Sequence, residues 1–210
     1  TAYGDALPEN EWMDISGSSR KFDHRGDRTN TSLFLEHNVI LGGFTLSAGV
    51  LANRNTGLDN KFRFYPGVDL SYRPNDSWKF YASWNKALRV PTFTDLYTNN
   101  SVQTGDLSLR PEKNSTFKIG SRYRRTGFEA TLTGFYSHGT DIIDWVYDTP
   151  DTRKYHAMNI GRLDNMGYSA DAVFNIQELL PTAFVTRVKV GYAFIHQSHE
   201  TDRDIYGSLY

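Results

Sequence analysis

The chain has no cysteine, which removes disulfides, thiolate metal sites and a cysteine nucleophile together. It also lacks any apolar run of roughly 18 residues or more, so no membrane-crossing helix is written into it. Neither sign of charge is in excess: 23 basic residues stand against 24 acidic ones, a net charge of -1, and no nucleic-acid partner is expected without a basic field to collect one. The start, at Thr1, has no methionine, basic segment or apolar leader, and reads as a cut end. No nucleophile elbow or zinc helix is present, so neither a catalytic residue nor a cofactor is predicted. A mean hydropathy of -0.55 says nothing against a membrane barrel, whose strands alternate lipid-facing apolar residues with polar lumen-facing ones.

What the chain does have is aromatic residues, 14% of the whole, with 13 Tyr and 13 Phe, and these suit strands and interfacial girdles. They fall in alternating runs. Trp78, Phe80, Ala82 and Trp84 share one strand face, and Lys79, Tyr81, Ser83 and Asn85 the other, because successive strand side chains point to opposite sides. The same two-faced pattern predicts strands over residues 31–41, 44–53 and 62–73, and again from 114 to 123 and from 128 to about 144. A further long strand is predicted from about 155 to 176, and a last one from 188 to 194. Gly42-Gly43 and Pro74-Asn75-Asp76 read as turns. Pro66 lies inside a run and lacks the ladder N–H, so a bulge or an unpaired edge is expected there. Residues 196–210 are polar and lose the alternation.

The fold class is therefore all-β, an antiparallel up-and-down meander of about eight strands. Its connections alternate between shorter and longer, the longest running from residue 86 to 113, as the periplasmic turns and outer loops of a membrane barrel do. The polar faces carry Glu36, Arg63, Asp69, Lys118, Arg122, Glu129, Asp171 and Lys189, too many charges for a dry core and suited to a wet lumen. A soluble β-sandwich shares the period of two and stays open on periodicity alone.

The longest connection contains Arg89-Val90-Pro91-Thr92-Phe93-Thr94-Asp95-Leu96-Tyr97 and then Gly105-Asp106-Leu107-Ser108-Leu109-Arg110-Pro111-Glu112. This pair of elements resembles the signature of TonB-dependent outer-membrane transporters, and Asn159-Ile160-Gly161 with Gly167-Tyr168-Ser169 resembles another strand of that family. The second element lacks the family's Asn-Pro pair, and Ser169 stands where the family has Glu. The resemblance implies a sector of a barrel of about 22 strands, placed in the outer membrane against its lipid. Residues 1–27 would be an extracellular loop or cut start, 28–198 the barrel strands and loops, and 199–210 a loop or cut end, with the plug domain absent. It further implies energy-coupled uptake of a bulky scarce nutrient, a cobalamin, ferric siderophore or haem, with TonB as partner through the missing plug. A passive porin or cell-surface β module is the alternative.

Candidate residues divide in two. The signature residues Arg89, Pro91, Thr92, Phe93, Leu96, Tyr97, Gly105, Leu109, Pro111 and Glu112 are expected to shape the rim rather than to touch cargo. Cargo contact is expected from loop interiors: Tyr97, Asn99, Asn100 and Gln103, with Trp145, Tyr147 and Asp148 in the next loop. His138, Asp141 and Asp144 read as rim or lumen polar groups. His196, His199, Glu200 and Asp202 read as a solvated segment, and no metal site is predicted.

Overall fold

In a computed structural model, residues 2–3, 24–25, 27–57, 60–99, 102–147, 154–201 and 207–208 are described. Their elements in chain order are β1 (Ala2–Tyr3), β2 (His24–Arg25), β3 (Asn30–Leu41), β4 (Phe44–Asn55), β5 (Phe62–Tyr72), β6 (Trp78–Arg89), α1 (Phe93–Tyr97) and β7 (Gln103–Thr104). The chain continues with β8 (Glu112–Arg125), β9 (Phe128–Thr140), β10 (Ile143–Tyr147), β11 (Tyr155–Asn159), β12 (Gly161–Asn175), α2 (Ile176–Leu179), β13 (Arg187–Thr201) and β14 (Gly207–Ser208).

Eight long strands form one sheet in the order β13-β12-β9-β8-β6-β5-β4-β3, every pair antiparallel, which is the predicted meander. Tight turns join β3 to β4 and β8 to β9 at one end, where α2 lies in the longer β12–β13 connection. Gly42 (φ 57°) and Gly127 (φ 73°) take the left-handed conformation that such turns require. At the opposite end the connections are long, and they build a second sheet in the order β14-β10-β11-β7.

Several boundaries differ from the sequence reading. The strand predicted to run to residue 144 stops at Thr140, where Asp141 turns the backbone to φ 57° and β10 leaves for the second sheet. The single strand predicted over 155–176 is two, β11 and β12, parted at Ile160 ahead of Gly161 (φ 111°). The polar tail does not leave the wall at residue 196: β13 runs on to Thr201, laddered to β12 throughout. Pairing with a neighbour supplies there what alternation does not. Of the predicted loop over residues 1–27, Ala2–Tyr3 pairs with His24–Arg25.

On one sheet face five apolar or small positions stack along most strands. β9 presents Phe128, Ala130, Leu132, Gly134 and Tyr136, and its neighbour β12 presents Phe174, Ala172, Ala170, Tyr168 and Met166 opposite them. The eight steps from Phe128 to Tyr136 span about 27 Å of strand at about 3.4 Å each. At a tilt of about 40° they rise about 20 Å, close to the roughly 25 Å apolar band of an outer-membrane barrel. No second sheet covers this face among the described residues. Phe44, Leu46 and Phe80 are 49%, 42% and 43% exposed, which excludes the sandwich reading. His37 on β3, opposite Ala48 on β4, is a polar residue within this face.

The other face is polar and cross-linked. The Tyr81 hydroxyl lies 2.6 Å from Thr133 Oγ1, passing over Gly120, where a Cβ would meet that ring at 2.5 Å. Ser137 donates to Asn114 Oδ1 (2.8 Å), and Arg124 pairs with Glu129 (2.6 Å).

Candidate functional site

At the long-loop end, β6 and β8 finish opposite each other with Arg89 and Glu112 in register. The Arg89 guanidinium donates from Nε (2.7 Å) and Nη2 (2.5 Å) to the two oxygens of Glu112, a planar two-point pairing that lysine does not reproduce. Glu112 Oε1 also accepts the Ile143 amide at 2.8 Å, so one carboxylate ties β6, β8 and β10 together. Asp95 stands 3.6 Å from Arg89 Nη1.

Asp95 belongs to α1, a single turn started by a reciprocal cap. Thr92 Oγ1 accepts the Asp95 amide (3.1 Å), and the Asp95 carboxylate accepts the Thr92 amide (2.8 Å). Pro91 is buried before the cap, its carbonyl accepting Arg28 Nη1 at 2.8 Å, while the Arg28 guanidinium lies 4.4 Å above the Phe93 ring. Gly105 packs against the far end of this turn. Its amide donates to Thr98 O (2.6 Å), and any Cβ there would meet Asp95 O at 2.6 Å and the Leu96 carbonyl carbon at 2.7 Å. The signature residues thus form one anchored knot that sends the chain from the wall into the outer sheet.

That sheet has a small core of Leu109, Ile143, Trp145 and Ala157, with Leu96 and Tyr155 packed against it. Asn159 locks its edge, donating to Arg110 O (2.9 Å) and Asp141 O (2.6 Å) and accepting the Arg110 amide (2.9 Å).

Of the residues proposed to meet cargo, the fold gathers some and separates others. β7 runs parallel to β11, which puts Gln103 opposite Tyr155. The Tyr147 and Tyr155 rings lie 4.0 Å apart, and their hydroxyl hydrogen bond raises the Tyr147 pKa above the ordinary phenol value. Asn99 Oδ1 accepts Lys154 Nζ at 3.0 Å beside this edge. Tyr97 ends α1, its ring tilted against that of Phe93 with centroids 6.1 Å apart. Trp145, by contrast, is 6% exposed and fills the core. Asn100 and Asp148 lie outside the described residues. Lys154 and Tyr155 join the group although neither is among the residues expected to meet cargo; Tyr155 falls in the single strand predicted over 155–176. The one signal for the break was the glycine at 161. His138, Asp141 and Asp144 do not converge: His138 pairs with Asp164 (2.6 Å), Asp141 with Arg110 (2.7 Å) and Lys113 (3.2 Å), and Asp144 is buried. No group of three or more His, Asp or Glu residues able to hold a metal occurs among the described residues.

Replacing Glu112 by Ala is expected to destabilise the outer sheet by about 2 kcal/mol, discounted from a fully buried pair because Arg89 is 47% exposed. Hydrogen exchange at the Ile143 amide reads this directly. Faster exchange there, with wall amides unchanged, is the expected result.

The family model described as "TonB dependent receptor-like, beta-barrel" matches residues 2–208. Among solved structures the chain is similar to the siderophore receptor PirA from Pseudomonas aeruginosa, at TM-score 0.65 and 16% identity, covering 81% of this chain and 32% of that one. It is similar to the FrpB iron transporter from Neisseria meningitidis at TM-score 0.61 and 23% identity, over 81% of this chain and 26% of that one. A mutant ferric enterobactin receptor PfeA from Pseudomonas aeruginosa, in complex with enterobactin, gives TM-score 0.66 and 18% identity over 90% and 30% of the two chains. The chain therefore spans about a third or less of the length of these proteins. No curated protein matches it.

Proposed function

Because the chain belongs to the TonB-dependent receptor-like β-barrel family, we propose that it is a sector of the wall and outer loops of an energy-coupled outer-membrane receptor for a bulky metal chelate. The family is one of outer-membrane receptors rather than enzymes. The observation that carries the reading is the division of the molecule: an uncovered apolar wall below, and above it a knot from Arg89 to Glu112 that presents a separately packed sheet. A wall alone makes a pore. A rim held by a two-point ion pair and its own core supports an outer surface shaped for recognition.

Ferric siderophore is the cargo we put first, ahead of cobalamin and haem, since the similar structures are siderophore receptors and an iron transporter. Tyr97, Asn99, Gln103, Tyr147 and Tyr155 are the contacts we propose, offering rings for stacking and amides for hydrogen bonds. Coupling would pass through a plug to TonB. The test is uptake of labelled ferric siderophores, haem and corrinoids by cells carrying the intact gene or its deletion, with and without a protonophore. Loss of one cargo class on deletion, and equally on collapse of the proton gradient, is expected. Uptake indifferent to the gradient would establish the passive-pore alternative instead.

A further inference from the structure

The wall has one ladder that stops short. β5 and β6 pair only over residues 67–72, from Gly67↔Asn85 to Tyr72↔Phe80. Above that level β5 continues against β4 alone, with Pro66 opposite Val50, and β6 continues against β8 alone, up to Arg89. Pro66 accounts for the parting, because it has no N–H to carry the ladder on. The strands separate around a cleft of about 520 Å³ lined by Phe64, Lys86, Leu88, Lys113, Ser115 and His138, among others.

These six residues occupy the outward parity of their strands, while Arg63, Tyr65, Ala87 and Asn114 line the cleft from the inward parity. Lys86, Ser115 and His138 are consecutive cross-strand neighbours, one same-face row above Trp84, Phe117 and Tyr136, where the continuous apolar run of β6, β8 and β9 ends. Trp84 marks the boundary, its indole N–H donating to Ser115 Oγ (2.9 Å) and the Lys86 ammonium lying 5.7 Å from its ring centroid. Lys113, 67% exposed, reaches Asp141 at 3.2 Å, and His138 is held by Asp164 at 2.6 Å. A parted ladder is not tolerated in hydrocarbon, so this opening lies where polar lipid groups begin.

We propose that this cleft seats the phosphate-bearing headgroup of an anionic outer-leaflet lipid. Lys86 and Lys113 face the phosphates, and Phe64 (66% exposed) and Leu88 meet the first acyl carbons. The proposal rests on this face meeting lipid, which is tested separately by the Leu132 substitution argued below.

The probe is a hexa-acylated glucosamine disaccharide carrying two phosphates, added to the detergent-purified intact receptor and counted by native mass spectrometry beside its dephosphorylated form. One phosphorylated lipid is expected to be retained where the dephosphorylated one is not, and the double variant Lys86→Gln/Lys113→Gln is expected to weaken retention at least about tenfold. Lys79→Gln, on the lumen face, is expected to leave it unchanged. Barrel folding of each variant is checked by its heat-dependent gel shift. Equal retention of both lipids, or a double variant that binds like the native protein, would overturn the proposal. So would displacement of the lipid by inorganic phosphate at comparable concentration, which would mark a simple anion site.

Discussion

Leu132→Arg is expected to lower the stability of the intact barrel in lipid vesicles by about 2–4 kcal/mol, while Thr131→Arg, one residue away, changes it by less than about 1 kcal/mol. The two positions share a strand and differ only in the face they occupy. Leu132 lies at the middle of the five outward positions of β9, between Ser121 and Ala170, and is 54% exposed. A guanidinium there has hydrocarbon around it and a long way to reach toward either headgroup layer. Thr131 faces the lumen beside Arg122 and Asp171, where water solvates a new charge and the carboxylate offsets the crowding. Urea titration of the refolded protein in bilayers gives both numbers. Comparable costs at the two sites would show that the apolar face does not meet lipid.

This pair of positions also shows how far the sequence carries. The alternation across 128–136 places Leu132 and Thr131 on opposite faces without any structure, because period two follows from strand geometry. It does not say what the apolar face touches. The open exposure of Phe44, Leu46 and Phe80, with no sheet above them among the described residues, excludes a sandwich core, and the Leu132 and Thr131 pair tests for lipid. The register pairing of Arg89 with Glu112 follows from the meander, since the two residues lie near either end of the longest predicted connection and the strands flanking it are neighbours. The outer sheet was not legible. Its pairs join Gln103 to Tyr155 and Ile143 to Asn159, and β7 meets β11 in parallel, a pairing that no local periodicity announces. Two-residue and five-residue strands carry too few positions for a pattern. Asp141 (φ 57°), where β9 ends, is equally silent in sequence, since aspartate is common in straight strands' flanks and in left-handed turns alike.

The consequence is sharpest at Trp145. An aromatic residue in an outer loop invites a role in stacking on cargo, but here the ring is 6% exposed among Leu109, Ile143 and Ala157. Trp145→Ala is therefore expected to cost about 3–5 kcal/mol of local stability, as the removal of a large buried side chain does when its surroundings only partly collapse. Because the outer sheet is joined to the wall through Glu112 and Asn159 rather than through a shared core, the loss should stay local. Amides of β10 and β11 would exchange faster while those of β8 and β9 hold. Trp145→Phe retains most of the apolar volume and is expected to keep both the protection and the affinity for cargo. Tyr147→Ala should do the reverse: its ring packs at a tilt against Tyr155 at the sheet's surface, so stability falls by less than about 1 kcal/mol while cargo affinity drops. If Trp145→Phe instead lost affinity with β10 fully protected, the indole itself would be the contact. The same two measurements on the two residues separate a ring that holds the surface up from a ring that the surface offers.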